Sequence, residues 1–433
     1  MKNSDYIQWF RSAAPYINAF RKKTFVIGLS GEMVRSELFI NLIHDIALLH
    51  HLGIKLVIVH GSRCQIDDLL DQQQIESRFH HNMRISEIHV MPVILQAISG
   101  VRQSIEARLS MGLPNTPMSG SDISVVGGNF VTGMPLGIIE GVDMQHSGKV
   151  RAVDAEAIDR LLDQHIVLLS NIGYSKSGEL FNLPAEELAT EVAIALQAEK
   201  LIFFNKDFIR NPLTDQFSTA ECEDFLQQPT HEVSEELRAL LGQAIAAVHH
   251  KVDRVHIIDD NLDGGLLQEL FTREGAGMMV TNLFYEGLRK AHIDDIGGIL
   301  ELIQPLEQSG ILIKRSREQL ELEIGYFRVI EKDGMIIGCI ACVPDLPSKR
   351  AEVACVAVHP DFRKHGFGDQ LLTAVELEAR KAGIEHLFIL TTRTSHWFLE
   401  KGFNENSIDF LPPEKQKTYN VNRQSRIMTK ALN

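Results

Sequence analysis

The chain has 433 residues, too many for one ordinary hydrophobic core, and its 44% hydrophobic and 23% charged residues indicate a globular protein of two domains or more. Its 43 basic residues against 57 carboxylates give a net charge of −14, which disfavours nucleic acid and anionic membranes as main partners. Apolar runs stay below the roughly 18 residues of a membrane span. The N-terminal segment lacks the apolar core of a secretory signal, so we expect a cytoplasmic protein.

The first part of the chain alternates short apolar strands with segments of helical period. Helices are predicted at segments such as 36–51 and 184–198. Strands are predicted at 24–30, 55–60, 166–169, 200–204 and 254–258. This alternation indicates an α/β sandwich around a mostly parallel sheet.

After about residue 281 the pattern changes to that of a smaller α+β domain. Helices are predicted at 292–304, 316–323, 367–381 and 394–401, and strands at 325–331, 335–343, 350–358, 385–390 and near 418–430. The Asp333-Gly334 pair predicts a tight hairpin turn between two of these strands. We therefore predict domains at 1–283 and 284–433.

The cysteines and paired histidines give no metal-binding pattern. The five cysteines are scattered and odd in number, which argues against a disulfide framework. Cys339 and Cys342 form a C-x-x-C within a predicted strand, where alternation would place them on opposite faces. The histidine pairs at 50–51, 80–81 and 249–250 match no ligand spacing. We therefore predict no metal.

The stretch 353–368, VACVAVHPDFRKHGFG, combines a β-branched strand, a Pro stop, a basic loop with two glycines and a following helix. Glycines let backbone N–H groups approach a phosphate closely, and the positive end of the helix dipole adds to the attraction. Alone, the R-x-x-G-x-G pattern is common by chance. Between this strand and an amphipathic helix, it predicts a pyrophosphate site.

This stretch resembles the acyl-CoA loop of the GCN5-related N-acetyltransferases, and HWFLEKGF at 396–403 resembles their aromatic-x-x-x-G-F ending. The resemblance implies acetyl-CoA as cosubstrate and no metal. It implies that the strand contributes backbone groups to pantetheine and that the loop holds the pyrophosphate. The implied coenzyme contacts are Cys355, Val356, Ala357, Val358, Arg363, Lys364, His365, Gly366, Phe367 and Gly368.

Acetyl transfer to an amine needs a base for the ammonium and an acid for the leaving thiolate. Glu352, at the head of the coenzyme strand, is the predicted base, although it could instead pair with Lys349 or Arg350. Thr391 or Thr392 ends the neighbouring strand, where a hydroxyl could reach the thiolate. A structural role for these threonines and an acid role for Tyr419 remain open alternatives.

Two arginine-containing clusters, at 313–321 and 419–428, suggest an acidic acceptor, because guanidinium groups bind carboxylates in a bidentate fashion. The candidate side chains are Arg315, Arg317, Arg423 and Arg426. Spacing alone leaves two other roles open, namely surface charges and contacts to the CoA 3′-phosphate.

The larger domain resembles the amino-acid kinase family, in segments including FVIGLSGE (25–32), LVIVHGS (56–62) and SNIGYSKSGELFNL (170–183). Those kinases carry a lysine in the first strand, which neutralises charge on the transferring phosphoryl group. Here that strand reads Val26-Ile27-Gly28-Leu29 and has no cation. We expect a kinase fold without kinase activity.

Together the two domains resemble the bacterial amino-acid N-acetyltransferase family, the N-acetylglutamate synthases of arginine biosynthesis, over nearly the whole chain. The resemblance implies direct acetyl transfer to L-glutamate, with Glu352 as base, Thr391 as acid and Arg315 and Arg423 on the two carboxylates. It also implies feedback inhibition by L-arginine in the kinase-like domain, and a homo-oligomer, a hexamer. The implied arginine contacts are Tyr16, Phe20, Lys200, Glu269, Gly275 and Gly277.

Residues 274–278 depart from the family's D-G-x-G-T pattern, with Glu274 and Met278 at its ends. Loss of a hydroxyl at Met278 predicts weakened or altered inhibition. The alternative functions are an arginine-responsive acetyltransferase for another amine or a protein lysine, a bifunctional synthase–kinase, and a non-catalytic arginine sensor.

Overall fold

The computed structural model describes residues 3–111, 122–206, 216–227, 234–272, 275–282, 287–332, 334–363, 366–419 and 425–432. The chain divides into two compact units, Met1–Leu283 and Phe284–Asn433. Within the described ranges, every helix is too short or too polar to cross a bilayer.

The described residues of the first unit form ten α-helices and sixteen strands. The helices are α1 Asn3–Phe20, α2 Gly31–Arg35, α3 Phe39–His51, α4 Arg63–Gln72, α5 Met91–Leu109, α6 Ala155–Leu162, α7 Ala185–Ala195, α8 Thr219–Gln227, α9 Glu235–His249 and α10 Gly265–Phe271. The strands are β1 Thr24–Leu29, β2 Lys55–His60, β3 Phe79–His80, β4 Met83–Arg84, β5 Val125–Val126, β6 Val131–Pro135, β7 Ile138–Ile139, β8 Val142–Asp143, β9 Gly148–Val153, β10 Ile166–Ser170, β11 Ile172–Tyr174, β12 Leu180–Asn182, β13 Lys200–Asn205, β14 Gln216–Phe217, β15 Arg254–Asp259 and β16 Gly277–Val280.

The main sheet of this unit has the strand order β14-β16-β15-β13-β1-β2-β10-β5 and is parallel except for the β15–β16 pair. Its central strands are buried on both faces, as the continuous apolar runs predict. One face packs against α6, α7 and α9, and the other against α1, α3, α5 and α10. The α/β sandwich predicted from the sequence is confirmed.

Smaller β structures lie outside this sheet. Strands β12-β11-β6-β9 form a second sheet, and β3–β4 and β7–β8 form two separate hairpins. These strands are short and largely half-exposed, so their hydrophobic pattern is weak. The predicted helix 36–51 begins later than expected, at Phe39, because Ser36 has an extended backbone, and the short α2 before it was not predicted.

The described residues of the second unit form five α-helices and seven strands. They are β17 Gly287–Lys290, α11 Ile296–Gln308, α12 Arg317–Glu323, β18 Phe327–Lys332, β19 Met335–Asp345, β20 Arg350–Val358, α13 Phe367–Lys381, β21 His386–Thr391, α14 Ser395–Glu400, β22 Asn404–Asn406, α15 Pro413–Thr418 and β23 Arg426–Ala431.

These strands form one sheet in the order β17-β18-β19-β20-β21-β23-β22, in which β20 and β21 are parallel and the other described pairs antiparallel. Helix α13 covers one face and α11 the other. The predicted α+β unit is confirmed, but the last strand is described from Arg426 rather than from near residue 418, and residues 413–418 form α15. Asp333 of the predicted hairpin turn lies outside the described residues, and Gly334 has a positive φ of 77°.

Candidate functional site

Strands β20 and β21 lie side by side only at their beginnings. Their pairing runs from Arg350–His386 to Glu352–Phe388. Beyond these residues β20 continues to Val358 and β21 to Thr391 without pairing to each other. The β20 edge from Val353 onward therefore opens into a cleft. Backbone groups along such an edge are suited to bind an extended amide chain in the manner of an added strand.

A β-bulge lies in β20 at the opening of this cleft. On the other side of β20, Ala354 pairs with Ala341 and Ala357 with Cys339, so two residues of β20 face one residue of β19. Cys355 has a φ of 54°, a left-handed conformation that is unusual for a non-glycine residue. Bulges next to active sites commonly redirect side chains or backbone groups.

The buried Cys355 thiol connects this bulge to the predicted acceptor arginine. Arg315 Nη1 donates to Cys355 Sγ at 3.5 Å, and the Cys339 thiol donates to the Cys355 carbonyl at 3.4 Å. The interaction with the Cys339 thiol, helped by the Arg315 guanidinium, lowers the pKa of the Cys355 thiol against the effect of burial. The structure thus places Arg315 against the bulge of β20.

The predicted base, Glu352, lies at the last position of β20 that pairs with β21. Its side chain is only 12% exposed and forms an ion pair with Lys415 of α15. Neither alternative partner takes this role, because Lys349 pairs with Glu385 at 2.5 Å and Arg350 donates to the Phe410 carbonyl. The predicted pairing partners were therefore wrong, and a carboxylate stands where the strands separate.

The candidate hydroxyls differ in their contacts. Thr391 Oγ1, at the end of β21, accepts from the Thr394 N–H at 3.2 Å and lies 2.9 Å from Thr394 Oγ1. Thr392 is exposed. The Tyr419 hydroxyl donates to the Ser425 carbonyl at 2.6 Å. Thr391 therefore has a structural role in the turn before α14.

Two other candidate arginines form ion pairs with exposed side chains. Arg317 pairs with Glu321 at 3.1 Å within α12 and is 71% exposed. Arg426 pairs with Glu405 at 2.7 Å and is 62% exposed. Arg423 lies outside the described residues. Of the described candidates, Arg315 is the one that contacts the bulge.

The predicted phosphate loop precedes α13 as expected. Gly366 has a φ of 78° and is the N-cap, so a residue that favours the left-handed region begins the helix. Phe367 is buried, and a Cβ at Gly368 would lie 3.2 Å from the Trp397 ring. Arg363 is exposed, while Lys364 and His365 lie outside the described residues. The Asp369 and Gln370 N–H groups donate to the Gly366 carbonyl at 3.0 and 3.1 Å, and the positive end of the α13 dipole faces the loop.

The predicted arginine contacts meet in a buried cluster of the first unit. Lys200 Nζ lies 4.9 Å from the Phe20 ring centroid and 3.0 Å from His256 Nε2. His256 Nδ1 lies 2.5 Å from Glu269 Oε1. With Nδ1–H donating to the carboxylate and Nε2 accepting from the ammonium, a neutral imidazole joins the lysine to the glutamate.

The pKa values of this chain agree with that tautomer. Burial, with the Lys200 charge, lowers the pKa of His256 to about 4. Burial acts to raise the pKa of Glu269, but the His256 bond and the Ala276 and Gly277 amides outweigh it and lower the pKa to about 2. Those amides donate to Glu269 Oε2 at 2.6 and 2.7 Å.

Glycines 275 and 277 are required around the Glu269 carboxylate. Gly275 has a φ of 63°, and a Cβ there would lie 2.7 Å from Glu269 Oε2. A Cβ at Gly277 would lie 2.6 Å from the Ile257 carbonyl. Tyr16 is half-buried, with its ring 6.1 Å from that of Phe20. The structure therefore brings the predicted set together and adds His256, which sequence reasoning missed.

Met278 does not belong to this cluster. Its side chain packs with Ile257 and Val280 in the core on the other face of the sheet from Phe20. The expected loss of a polar arginine contact at Met278 was therefore wrong in its physical basis. Glu274 lies outside the described residues.

Within the described strands β1 and β2, neither Gly28 nor His60 supplies a charged substitute for the missing lysine. A Cβ at Gly28 would lie 2.7 Å from the Phe203 ring. The space that a side chain at position 28 would need is therefore occupied by a side chain of the neighbouring strand β13. At the end of β2, burial lowers the pKa of His60 to about 4, and its Nε2 lies 2.9 Å from Ser170 Oγ. His60 is neutral near pH 7.

Comparisons with known proteins agree with the folds of both units. Residues 23–259 match the amino acid kinase family, and residues 298–403 match the acetyltransferase (GNAT) family. The amino-acid acetyltransferases of Azotobacter vinelandii and Vibrio vulnificus are 47% and 46% identical, over 99% and 100% of this chain and 100% of each relative.

Two solved structures of N-acetylglutamate synthase from Neisseria gonorrhoeae cover 99% of this chain and 99% of their own. The one complexed with coenzyme A and L-arginine has a TM-score of 0.89 at 36% identity. The one complexed with coenzyme A and N-acetyl-glutamate has a TM-score of 0.62 at 37% identity.

An amino acid kinase fold joined to a GNAT acetyltransferase domain is therefore the architecture of this molecule. The chain belongs to the amino-acid acetyltransferase family and is an acyltransferase. The fold class and family predicted from the sequence are confirmed.

Proposed function

We propose that the enzyme transfers the acetyl group of acetyl-CoA directly to the α-amino group of L-glutamate, forming N-acetyl-L-glutamate and CoA. The observation that carries this proposal is the likeness, over 99% of both chains, to a synthase complexed with coenzyme A and N-acetyl-glutamate. The β20–β21 cleft supports it, because it joins a coenzyme-binding edge, a carboxylate and a guanidinium.

In this mechanism the Glu352 carboxylate accepts a proton from the glutamate ammonium, directly or through water. The freed amine attacks the thioester carbonyl, and the C–S bond breaks as the new amide forms. The leaving thiolate takes a proton from the Thr391 hydroxyl, which is restored through solvent by the second proton that the nitrogen loses as it becomes an amide. Backbone N–H groups near the Cys355 bulge would stabilise the tetrahedral oxyanion.

Substrate recognition follows from charge and position. Arg315, held beside Cys355, would bind one carboxylate of glutamate, and Arg423 the other. Arg317 and Arg426 contribute less, because their side chains are 71% and 62% exposed, whereas Arg315 is 19% exposed and its ion pair with Glu323 is longer, at 3.7 Å. The α13 N-terminus with Arg363, Lys364 and His365 would hold the pyrophosphate.

We further propose that L-arginine binds in the kinase-like unit as a feedback inhibitor. The supporting observations are the synthase structure complexed with L-arginine and the Phe20, Lys200 and Glu269 cluster. A guanidinium at Glu269 would compete with His256 for the carboxylate, while Lys200 would turn to the α-carboxylate. We propose that this unit lacks kinase activity, since Gly28 and the neutral His60 provide no cation for a phosphoryl group.

The test is release of free thiol from acetyl-CoA, measured with L-glutamate, with other amino acids and with a lysine-containing peptide, each with and without L-arginine. We expect release that depends on glutamate and falls with arginine. Release with the peptide but not with glutamate would favour the protein-lysine alternative. Absence of glutamate-dependent release would overturn the main proposal.

A further inference from the structure

The tips of two hairpins in the first unit lie against each other. In the β3–β4 hairpin the two turn residues, His81 and Asn82, have φ values of 46° and 60°. In the β7–β8 hairpin the turn residues, Glu140 and Gly141, have φ values of 48° and 82°. Turns with two positive φ angles favour asparagine and glycine, so His81 and Glu140 occupy strained positions.

These tips bring three potential metal-binding atoms together. His81 Nε2 lies 2.8 Å from Glu140 Oε2, and His80 Nε2 lies 3.8 Å from the same oxygen. One ligand atom from each of the three side chains lies within 4.8 Å of the other two. The two imidazole rings are 4.2 Å apart between centroids and inclined at 62°. Atoms so spaced can share one ion.

The donor set defines the kind of ion. Imidazole nitrogens bind Zn²⁺ at about 2.0–2.1 Å and carboxylate oxygens at about 2.0–2.2 Å, so ligands of one ion lie about 3–4 Å apart. Two imidazoles and a carboxylate suit Zn²⁺ and neighbouring divalent transition metals, whereas Mg²⁺ and Ca²⁺ prefer oxygen ligands alone.

A second observation points to the same ion. His80 Nε2 is covered from solvent and lacks a hydrogen-bond partner among the described residues, because 3.8 Å is too long for a hydrogen bond to Glu140. A covered nitrogen without a partner is costly and calls for an explanation. The His81–Glu140 contact accounts for two of the three side chains, whereas a shared ion accounts for all three.

We propose that His80, His81 and Glu140 bind one divalent transition-metal ion of the Zn²⁺ class, with water completing its coordination. The ion links two hairpins that are distant in sequence and fixes both tips. This site takes no part in the acetyl transfer proposed above. The metal-binding proposal can therefore be tested independently of that function.

The chain provides a matched control. His249 Nε2 lies 3.4 Å from Glu223, and the adjacent His250 completes the same residue composition. However, His250 Nδ1 lies 2.8 Å from the Ala246 carbonyl, so its ring is engaged elsewhere. His249→Gln therefore removes a similar exposed His–Glu contact without removing a three-ligand set.

The experiment uses the full chain, stripped with a chelator and titrated with Zn²⁺ by calorimetry and with Co²⁺ by visible absorption. We expect one ion per chain, at least tenfold weaker binding in His81→Gln and in Glu140→Gln, and no change in His249→Gln. Zn²⁺ should also raise the Tm of the wild type but not that of Glu140→Gln.

His81 and Glu140 are 57% and 68% exposed, so both variants should fold, and the Tm without metal checks this. Three results would overturn the proposal: no saturable site in the wild type, equal binding in the wild type and the two ligand variants, or an equal loss in His249→Gln.

Discussion

At the scale of single residues, Glu352 is the side chain on which the proposed chemistry depends most. Glu352→Gln keeps the shape of the side chain but removes the proton acceptor, so we expect kcat to fall about 10²-fold or more with coenzyme binding retained. Thiol release and calorimetry with CoA measure the two effects. The matched control is Glu385→Gln, an exposed ion-paired glutamate on the approach to the neighbouring strand. Equal turnover in both variants would assign the base elsewhere.

Two buried histidines predict a pH dependence of stability in the first unit. His60 and His256 have pKa values lowered to about 4 by burial, against 6.5 for a free imidazole. Between these values the unfolded chain binds protons that the folded chain does not, so stability falls as the pH falls from 6.5 to 4. Each histidine can contribute about 3 kcal/mol over this window.

Hydrogen exchange of the β2 and β15 amides, measured from pH 7.5 to 4.5, checks this expectation. His60→Asn and His256→Asn should each flatten the pH dependence, and the exposed His249→Gln should leave it unchanged. Glu269 affects stability in a lower pH range. Because its pKa is lowered to about 2, its contribution to the stability of the fold is complete above pH 4.5 and is lost only in stronger acid. An unchanged slope in both asparagine variants would contradict the assignment.

At the scale of elements, β1 and β13 pack closely in the central sheet. A Cβ at Gly28 would lie 2.7 Å from two atoms of the Phe203 ring. Gly28→Ala should therefore lower the free energy of unfolding by about 1–3 kcal/mol. Urea denaturation measures the change, and Gly100→Ala in α5, where a Cβ would meet nothing within 4 Å, is the control. In a helix the same substitution should stabilise by about 1 kcal/mol. Similar effects at both positions would contradict this packing.

Elements with strong periodicity were predictable. Strands β1, β2 and β20 and helix α13 match their predicted positions within one or two residues, because each carries a long apolar run or a clear amphipathic face. Cys339 and Cys342 pack in different cores on the two faces of β19, as alternation predicted. The hairpins β3–β4 and β7–β8 were not predicted, since two-residue strands carry almost no pattern.

The candidate sites were predictable as sets of residues but not as contacts. Sequence indicated Lys200 and Glu269 only through family resemblance, and His256 between them resembles any residue of an apolar strand. The sequence signal that could have identified His256 was a titratable residue inside the predicted strand RVHII. The partner of Glu352 was missed because Lys415 lies far along the chain, on a short helix with no apolar pattern.

At the scale of the whole molecule, the two units separate catalysis from regulation in the proposed function. Arginine that binds the folded first unit should raise its Tm by mass action. Lys200→Met should abolish this shift, because it removes the cation of the cluster while keeping an apolar stem. Thermal shift with L-arginine and D-arginine measures it, with Lys23→Met, a surface lysine paired with Glu199, as the control. A full shift in Lys200→Met would place arginine elsewhere.

The contact between Gly28 and Phe203 also has an evolutionary meaning. A lysine at Gly28 would collide with the Phe203 ring, whereas removing the ring first, as in Phe203→Ala, would open a cavity costing about 3–5 kcal/mol. Each substitution alone therefore destabilises the fold. The two positions are coupled, so a cation could be placed in the first strand only together with a compensating change at Phe203.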